Sequence, residues 1–380
     1  MKVLEIGTLN VKAGGPPFSI SRQMYGLKQN GIDSLCLMSP CDEEYIIDKN
    51  LNFVFTKPVI SRAIGLDYIP DIDYTLSKIE GVDLIHVQFV WTFISHSAAK
   101  YARSNHIPYV IAPRGSLYKR AMEDSKWLKK RIAWYLYQKE DLNKANCVQA
   151  TCMEEMETLR SLGCDAPIAI IPNSYDAKRI KRGTYVNNDI FRIGYLGRLS
   201  PRKHVERLIY AFAELKKKYN NTNLWIIGSD DNRYEQFLRK ECERLDLGDS
   251  VAFKGFLRLE ALDNAIRQCH LFVFPSDYEN FGNVVPDVLV REIPAIASKG
   301  MPWRIMEKEK CGWWIDMNQE ALNKTLIEAY EKGFDQLREM GMRGRKLVEE
   351  QFSVGKNGIM LKELYTWILY GGNKPDFVYV

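Results

Sequence analysis

Ile193-Gly194-Tyr195-Leu196-Gly197-Arg198-Leu199-Ser200-Pro201-Arg202-Lys203-His204 opens on a short apolar run and then turns at glycine. From 205 to 218 the apolar residues recur at helical spacing instead. Strand, turn and helix in that order form half of a parallel βαβ unit. The same alternation extends in both directions. Apolar, β-rich runs at 223–227, 250–253, 271–274 and 295–297 follow, with helical spacing at 234–245 and 260–268 between them. Upstream lie runs at 3–6, 34–38, 84–87, 109–112, 147–150 and 169–171. The pattern therefore runs twice and predicts an α/β chain of two doubly wound domains facing across a cleft, with ligands at the carboxyl ends of the strands. The expected division is a first domain at 1–172, a linker at 173–190, a second domain at 191–353, and a C-terminal helix and tail at 354–380. The linker rests on its polar and basic composition, including Lys178, Arg179, Lys181, Arg182 and Asn187-Asn188-Asp189. For the tail, packing back on the first domain is one open option.

Composition narrows the classes. The chain has 380 residues, 46% of them hydrophobic and 27% charged, which suits two globular cores. A net charge of +5 gives no whole-chain signal for nucleic acid, so no nucleic-acid partner is expected. The eight cysteines show no Cys-x-x-Cys spacing and form no zinc pattern with the five histidines, so a reducing cytoplasm fits. No stretch reaches the roughly 18 apolar residues of a membrane span. The first residues read as a buried strand and not as a signal peptide.

Three segments carry candidate chemistry. Gly14-Gly15 precedes a helix, so backbone N–H groups could approach an anion there, although no Gly-x-Gly-x-x-Gly fingerprint is present. Arg198 and Lys203 follow a strand end and suit a diphosphate, one as a planar fork and the other as a point charge. Phe274-Pro275-Ser276-Asp277-Tyr278-Glu279-Asn280-Phe281-Gly282-Asn283-Val284-Val285-Pro286-Asp287 places Glu279 in a loop and Asp287 about one turn into a helix. Carboxylates accept hydrogen bonds from the vicinal hydroxyls of a sugar. Asp71-Ile72-Asp73 resembles a metal-binding Asp-x-Asp by letters only and is expected to be solvated.

Together these segments resemble the retaining, nucleotide-sugar-dependent glycosyltransferases of family 4, with two Rossmann-like domains in the GT-B arrangement. The resemblance also rests on Ile171-Pro172-Asn173, Gly228 and Phe253-Lys254-Gly255. It implies a hexosyltransferase using a nucleotide diphosphate sugar, with no cofactor and no metal. By that resemblance Arg198 and Lys203 bind the diphosphate, and Glu279 with the Phe281, Gly282 and Asn283 backbone holds the sugar. Asp287 takes the ribose, Gly255 and Phe256 meet the base, and Gly14 and Gly15 close on the phosphate. Three departures stand out. Asp287 occupies a position where the family has Glu, and His204 and Glu292 occupy positions where glycine is usual. A nucleotide-sugar epimerase of the same fold and a catalytically inactive nucleotide-sugar-binding scaffold remain the alternatives.

The first domain offers acceptor-side candidates. His86-Val87-Gln88 stands where relatives often carry His-x-His, and Gln88 cannot act as a base. Arg114, after the strand at 109–112, could meet an acceptor phosphate or carboxylate. From 119 to 144 there are eight cations (Lys119, Arg120, Lys126, Lys129, Lys130, Arg131, Lys139, Lys144) against four anions (Glu123, Asp124, Glu140, Asp141). Trp127, Trp134, Tyr135 and Tyr137 are interleaved with them. Such a segment suits an anionic membrane surface at the inner face of the plasma membrane, where a lipid-linked or growing glycan acceptor for lipopolysaccharide or capsule would lie.

Overall fold

The structure, a computed structural model, describes all residues except 59–67, 123–126, 183–189 and 231–232, and the side chains of Arg120 and Ala121 are not described either. The chain forms two compact units.

The first unit comprises Met1–Ser174 and Phe352–Val380. Its strands are β1 (Lys2–Ile6), β2 (Asp33–Met38), β3 (Phe53–Phe55), β4 (Leu84–Val87), β5 (Tyr109–Ile111), β6 (Cys147–Ala150) and β7 (Ile168–Ile170). They lie parallel in the order β7-β6-β5-β4-β1-β2-β3, and Val378–Tyr379 adds antiparallel to β7. The order reverses between β1 and β4, which pair Val3 with Leu84 through Ile6 with Val87. Side chains alternate across the sheet. Leu4, Ile6, Ile85 and Val87 fill one core, while Val3, Leu84, Val110 and Cys147 pack with Leu361, Leu364 and Tyr365 in the other. The helix Val354–Tyr370 thus completes this unit although it comes last in the chain. It crosses the helix Pro16–Gln29 where Gly358 meets Gly26, and a Cβ at Gly358 would lie 2.1 Å from the Gly26 carbonyl oxygen. Only glycine permits that approach.

The second unit is Tyr175–Gln351. Its strands are β8 (Phe191–Leu196), β9 (Thr222–Ile227), β10 (Val251–Gly255), β11 (Leu271–Phe274), β12 (Ala295–Ser298) and β13 (Gly312–Ile315). All are parallel in the order β10-β9-β8-β11-β12-β13, with the reversal between β8 and β11. The helix Val205–Lys218 buries Val205, Leu208, Ile209, Phe212 and Leu215 on the sheet, as the spacing of those residues requires.

The unit begins inside the expected linker. Tyr175 is fully buried, and Arg345 holds the carbonyls of Ala177 and Ile180 at 2.7 and 3.2 Å. Residues 175–180 are therefore structural parts of the second unit, while Asn187-Asn188-Asp189 lies outside the described residues. Strands β3 and β13 and the strand Val378–Tyr379, none of them foreseen in the sequence, all lie at sheet edges.

Candidate functional site

In the second unit the turn after β8 and the loop after β11 leave neighbouring strands at the reversal of strand order, where an open α/β sheet forms a crevice. A short 3-10 turn, Pro201–Lys203, presents Lys203, and its ammonium pairs with Glu279. Both side chains are about a quarter to a fifth exposed, so ions in solution can reach the pair. Arg198 is exposed on the same turn, and the buried Tyr195 hydroxyl donates to its carbonyl at 3.0 Å. Burial holds that phenol well above its ordinary titration range, so it stays a donor.

The Glu279 loop is fixed from below. The Glu279 N–H donates to the Gly300 carbonyl at 2.9 Å. A Cβ at Gly300 would lie 1.8 Å from the Asp277 carbonyl oxygen, so a side chain there would displace the loop. Trp303, fully buried, donates its indole N–H to the Phe281 carbonyl at 2.6 Å and meets the Phe281 ring edge-on. Gly282 has φ +71°, and Asn283 starts the helix Val284–Leu289. The Tyr175 hydroxyl donates to the Asn283 carbonyl at 2.8 Å. Asp287 stands half-buried on that helix, and Arg291 donates to its carbonyl at 2.6 Å. On the other side of β8, Gly255 ends β10 with φ +65° and Phe256 is exposed. The unit thus gathers Arg198, Lys203, Glu279, Phe281, Gly282, Asn283 and Asp287 around the ends of β8 and β11, with Gly255 and Phe256 at the end of β10.

Two departures from the family pattern have one structural explanation. His204 and Glu292 adopt φ +49° and +64°, the left-handed conformation that glycine favours. His204 bonds to Glu206 and Asp277 at 2.8 and 2.7 Å, and Glu292 meets Arg182 at 3.5 Å.

In the first unit, Gly14 (φ +85°) and Gly15 lead into Pro16–Gln29. Pro16 and Pro17 have no N–H, and the Gly14 N–H donates to the Val11 carbonyl, which leaves the first turn few donors for an anion.

The acceptor-side candidates need correction. His86 and Gln88 are completely buried, so neither side chain lines a surface. Gln23 donates to Glu5 at 2.9 Å and lies 3.1 Å from His86, whose Nδ1 meets the Tyr365 hydroxyl at 2.7 Å. Gln88 donates to the other Glu5 oxygen. Arg114, at φ +50°, turns its guanidinium onto Gln88, onto Asn173 at 3.0 Å and onto Gln23 at 3.3 Å. Burial pushes Glu5 up to about 7 and His86 down to about 3. Sequence reasoning missed Glu5, Gln23 and Tyr365. An acid inside an otherwise apolar strand, Val3-Leu4-Glu5-Ile6, was the available signal for the first of them.

Lys119–Met122, Trp127–Ala133, a π-helical turn at Trp134–Gln138 and Lys139–Asn143 form the basic segment. Its aromatics divide. Trp134 is buried against Trp91 and Tyr137 lies on His96, whereas Trp127, Leu128, Ile132, Tyr135 and Leu136 are exposed. Asp141 is buried, held by Arg103 and His96 at 2.8 and 2.7 Å, so it does not offset the surface cations. Glu123, Asp124, Lys126 and the Arg120 side chain lie outside the described residues. Asp71 pairs with Lys57 at 2.6 Å, and no metal-holding cluster of His, Cys, Asp or Glu occurs among the described residues.

Two family models match. Glycosyltransferase Family 4 covers residues 24–179, and Glycosyl transferases group 1 covers residues 176–347. The chain belongs to the family 4 glycosyltransferases. An uncharacterised glycosyltransferase of Methanocaldococcus jannaschii is 31% identical over 136 residues, 36% of this glycosyltransferase and 34% of the relative. A capsular polysaccharide biosynthesis glycosyltransferase, CapM of Staphylococcus aureus, is 30% identical over 183 residues, 44% and 43% of the two chains. The matches thus span between a third and a half of these relatives' length. Among solved structures, HepE of Anabaena in complex with UDP and glucose superposes with TM-score 0.74 at 18% identity, over 96% of this glycosyltransferase and 99% of that chain. That likeness establishes the GT-B fold for the chain.

Proposed function

We propose that this glycosyltransferase is a retaining hexosyltransferase that moves a sugar from a nucleotide diphosphate sugar to a lipid-linked or growing glycan in bacterial surface polysaccharide synthesis. The Lys203–Glu279 pair beside exposed Arg198, at the reversal of strand order in the second unit, is the observation that carries this reading. It sets cations for a diphosphate next to a carboxylate for sugar hydroxyls. The crystallised relative bound to UDP and glucose, and the capsular role in the name of the Staphylococcus relative, support the donor and product classes.

In this mechanism Arg198 and Lys203 neutralise the diphosphate without a metal, while Glu279 and the Phe281, Gly282 and Asn283 backbone orient the sugar. Asp287 takes the ribose and Gly255 with Phe256 the base. The bond from the anomeric carbon to the diphosphate oxygen breaks, and the acceptor oxygen bonds to the same face. The acceptor proton passes to the departing phosphate, so no protein base is needed and a buried His86 and Gln88 are consistent with activity. Arg114 is half-buried and donates to Gln88, Asn173 and Gln23, and no step of the mechanism is assigned to it.

The exposed Trp127, Leu128, Ile132, Tyr135 and Leu136, with Lys129, Arg131 and Lys139 beside them, suit contact with an anionic bilayer at the inner face of the plasma membrane, where a lipid-linked acceptor would lie. No helix among the described residues is long and apolar enough to cross a membrane.

Glu279→Ala is expected to lower transfer by about a hundredfold or more while the circular dichroism spectrum stays unchanged; a fully active variant overturns the assignment. Replacing Lys129, Lys130 and Arg131 with Glu is expected to reduce sedimentation with phosphatidylglycerol vesicles. Unchanged sedimentation removes the membrane contact.

A further inference from the structure

His204 belongs to a polar cluster that the mechanism above does not use. It sits between the turn Pro201–Lys203 and the helix Val205–Lys218, in a left-handed conformation that a side-chained residue adopts only when something holds it. What holds it is visible. Nδ1 lies 2.8 Å from a Glu206 oxygen and Nε2 lies 2.7 Å from an Asp277 oxygen. Each ring nitrogen thus faces a carboxylate oxygen, so the ring ties the start of the helix to the loop after β11.

The surrounding groups reinforce that arrangement. Arg207 donates to the second Asp277 oxygen at 3.2 Å, and the Tyr234 hydroxyl, kept protonated by burial, donates to the second Glu206 oxygen. Arg202 donates to the Tyr278 hydroxyl at 3.0 Å. The charged and titratable groups around the imidazole are therefore Glu206, Arg207, Asp277 and Tyr234, with Arg202, Lys203 and Glu279 next to them.

Lys203 immediately precedes His204, and Glu279 follows Asp277 by two residues. The His204–Asp277 contact thus joins the two backbone segments that carry the Lys203–Glu279 pair. A diphosphate that engages Lys203 competes with Glu279 for the ammonium, so the pair cannot by itself hold the two loops together when donor binds. The His204–Asp277 contact involves neither group.

We infer that His204, bridging Glu206 and Asp277, is a positioning residue that helps keep the diphosphate-binding turn and the sugar-binding loop in register during donor binding. The inference rests on the proposed donor site. Without the bridge the two segments are left with the Asp277 N–H to Arg202 carbonyl bond at 3.4 Å and the Arg202–Tyr278 contact, so donor affinity falls.

The test is UDP binding by calorimetry for wild type, His204→Asn, His204→Gly and Lys203→Ala. Asparagine and glycine both tolerate the left-handed backbone, so the fold is expected to persist. Both His204 variants are expected to bind UDP about tenfold more weakly than wild type. In turnover assays their donor KM is expected to rise more than kcat falls. UDP affinity equal to wild type in His204→Asn overturns the inference. If Lys203→Ala leaves UDP binding unchanged, the donor site itself is refuted, which is a distinguishable failure. A measurement independent of donor is amide hydrogen exchange in the loop from Ser276 to Asn283. Faster exchange in both His204 variants than in wild type supports the bridge, and unchanged exchange overturns it.

Discussion

Each unit of this glycosyltransferase places a cluster of charged and polar side chains at a reversal of strand order, yet the two clusters are opposite in kind. In the first unit, Glu5, Gln23, His86, Gln88 and Tyr365 are almost wholly buried, and Arg114 closes the network with its guanidinium turned inward. In the second, Lys203, His204, Asp277 and Glu279 are each about a fifth to a quarter exposed. Burial decides the chemistry. Desolvation drives Glu5 and His86 toward their neutral forms, so that network is held by dipoles and one guanidinium. The second cluster keeps water at hand, and its Lys203–Glu279 ion pair is one that a charged ligand can exchange. A sealed network specifies a fold, whereas an open one can bind.

The largest effect that would break this contrast is in stability. Arg114→Ala removes the group that meets Gln88, Gln23 and Asn173 and leaves their acceptors without it. It is expected to destabilise the protein by about 3 kcal/mol in urea unfolding. A loss under about 1 kcal/mol, the range of an exposed pair, would show that the network is not sealed. Lys203→Ala is expected to do the reverse. Its partly exposed ion pair contributes little to stability, so the unfolding midpoint should hardly move. UDP affinity should fall by about tenfold in calorimetry. A large stability loss with intact UDP binding would make the second cluster structural as well.

The sequence made the second cluster legible and the first nearly illegible, for one physical reason. Binding loops are short in sequence. Arg198 to Lys203 and Glu279 to Asp287 are local motifs, and the strand and helix periods around them place both at strand ends. The helix bounds 205–218 and 354–370 could be read from spacing alone, because each buries a regular stripe. The sealed network is assembled from far apart, with His86 meeting Tyr365 across 279 positions, and no local pattern announces that. Likewise β3, β13 and the strand Val378–Tyr379 are apolar but only two to four residues long and partly exposed at sheet edges, so pairing with a neighbour, and not a long buried run, defines them. That the C-terminal helix completes the first unit depends on Gly26 meeting Gly358, two glycines that mean nothing until the helices cross.

The smallest effect sharpens the contrast through pH. Glu5 is raised from 4.5 to about 7 in the folded protein. Between those values the folded chain holds a proton that the unfolded chain has released, so the stabilising contribution is complete below about 4.5 and is lost as pH rises through 7. His86, lowered from 6.5 to about 3, acts in the opposite sense, because its contribution is present above 6.5 and is lost as pH falls toward 3. The two overlap in wild type, so the Glu5 part must be isolated by difference. Glu5→Gln keeps the shape but does not titrate, and any constant loss from its misdirected amide cancels in the slope. The unfolding free energy of wild type minus that of Glu5→Gln is expected to fall between pH 5 and 8, by less than about 1.4 kcal/mol per pH unit. A difference that stays flat across that range would mean Glu5 remains ionised throughout, held by Arg114 as an ordinary ion pair, and the two clusters would then differ only in exposure.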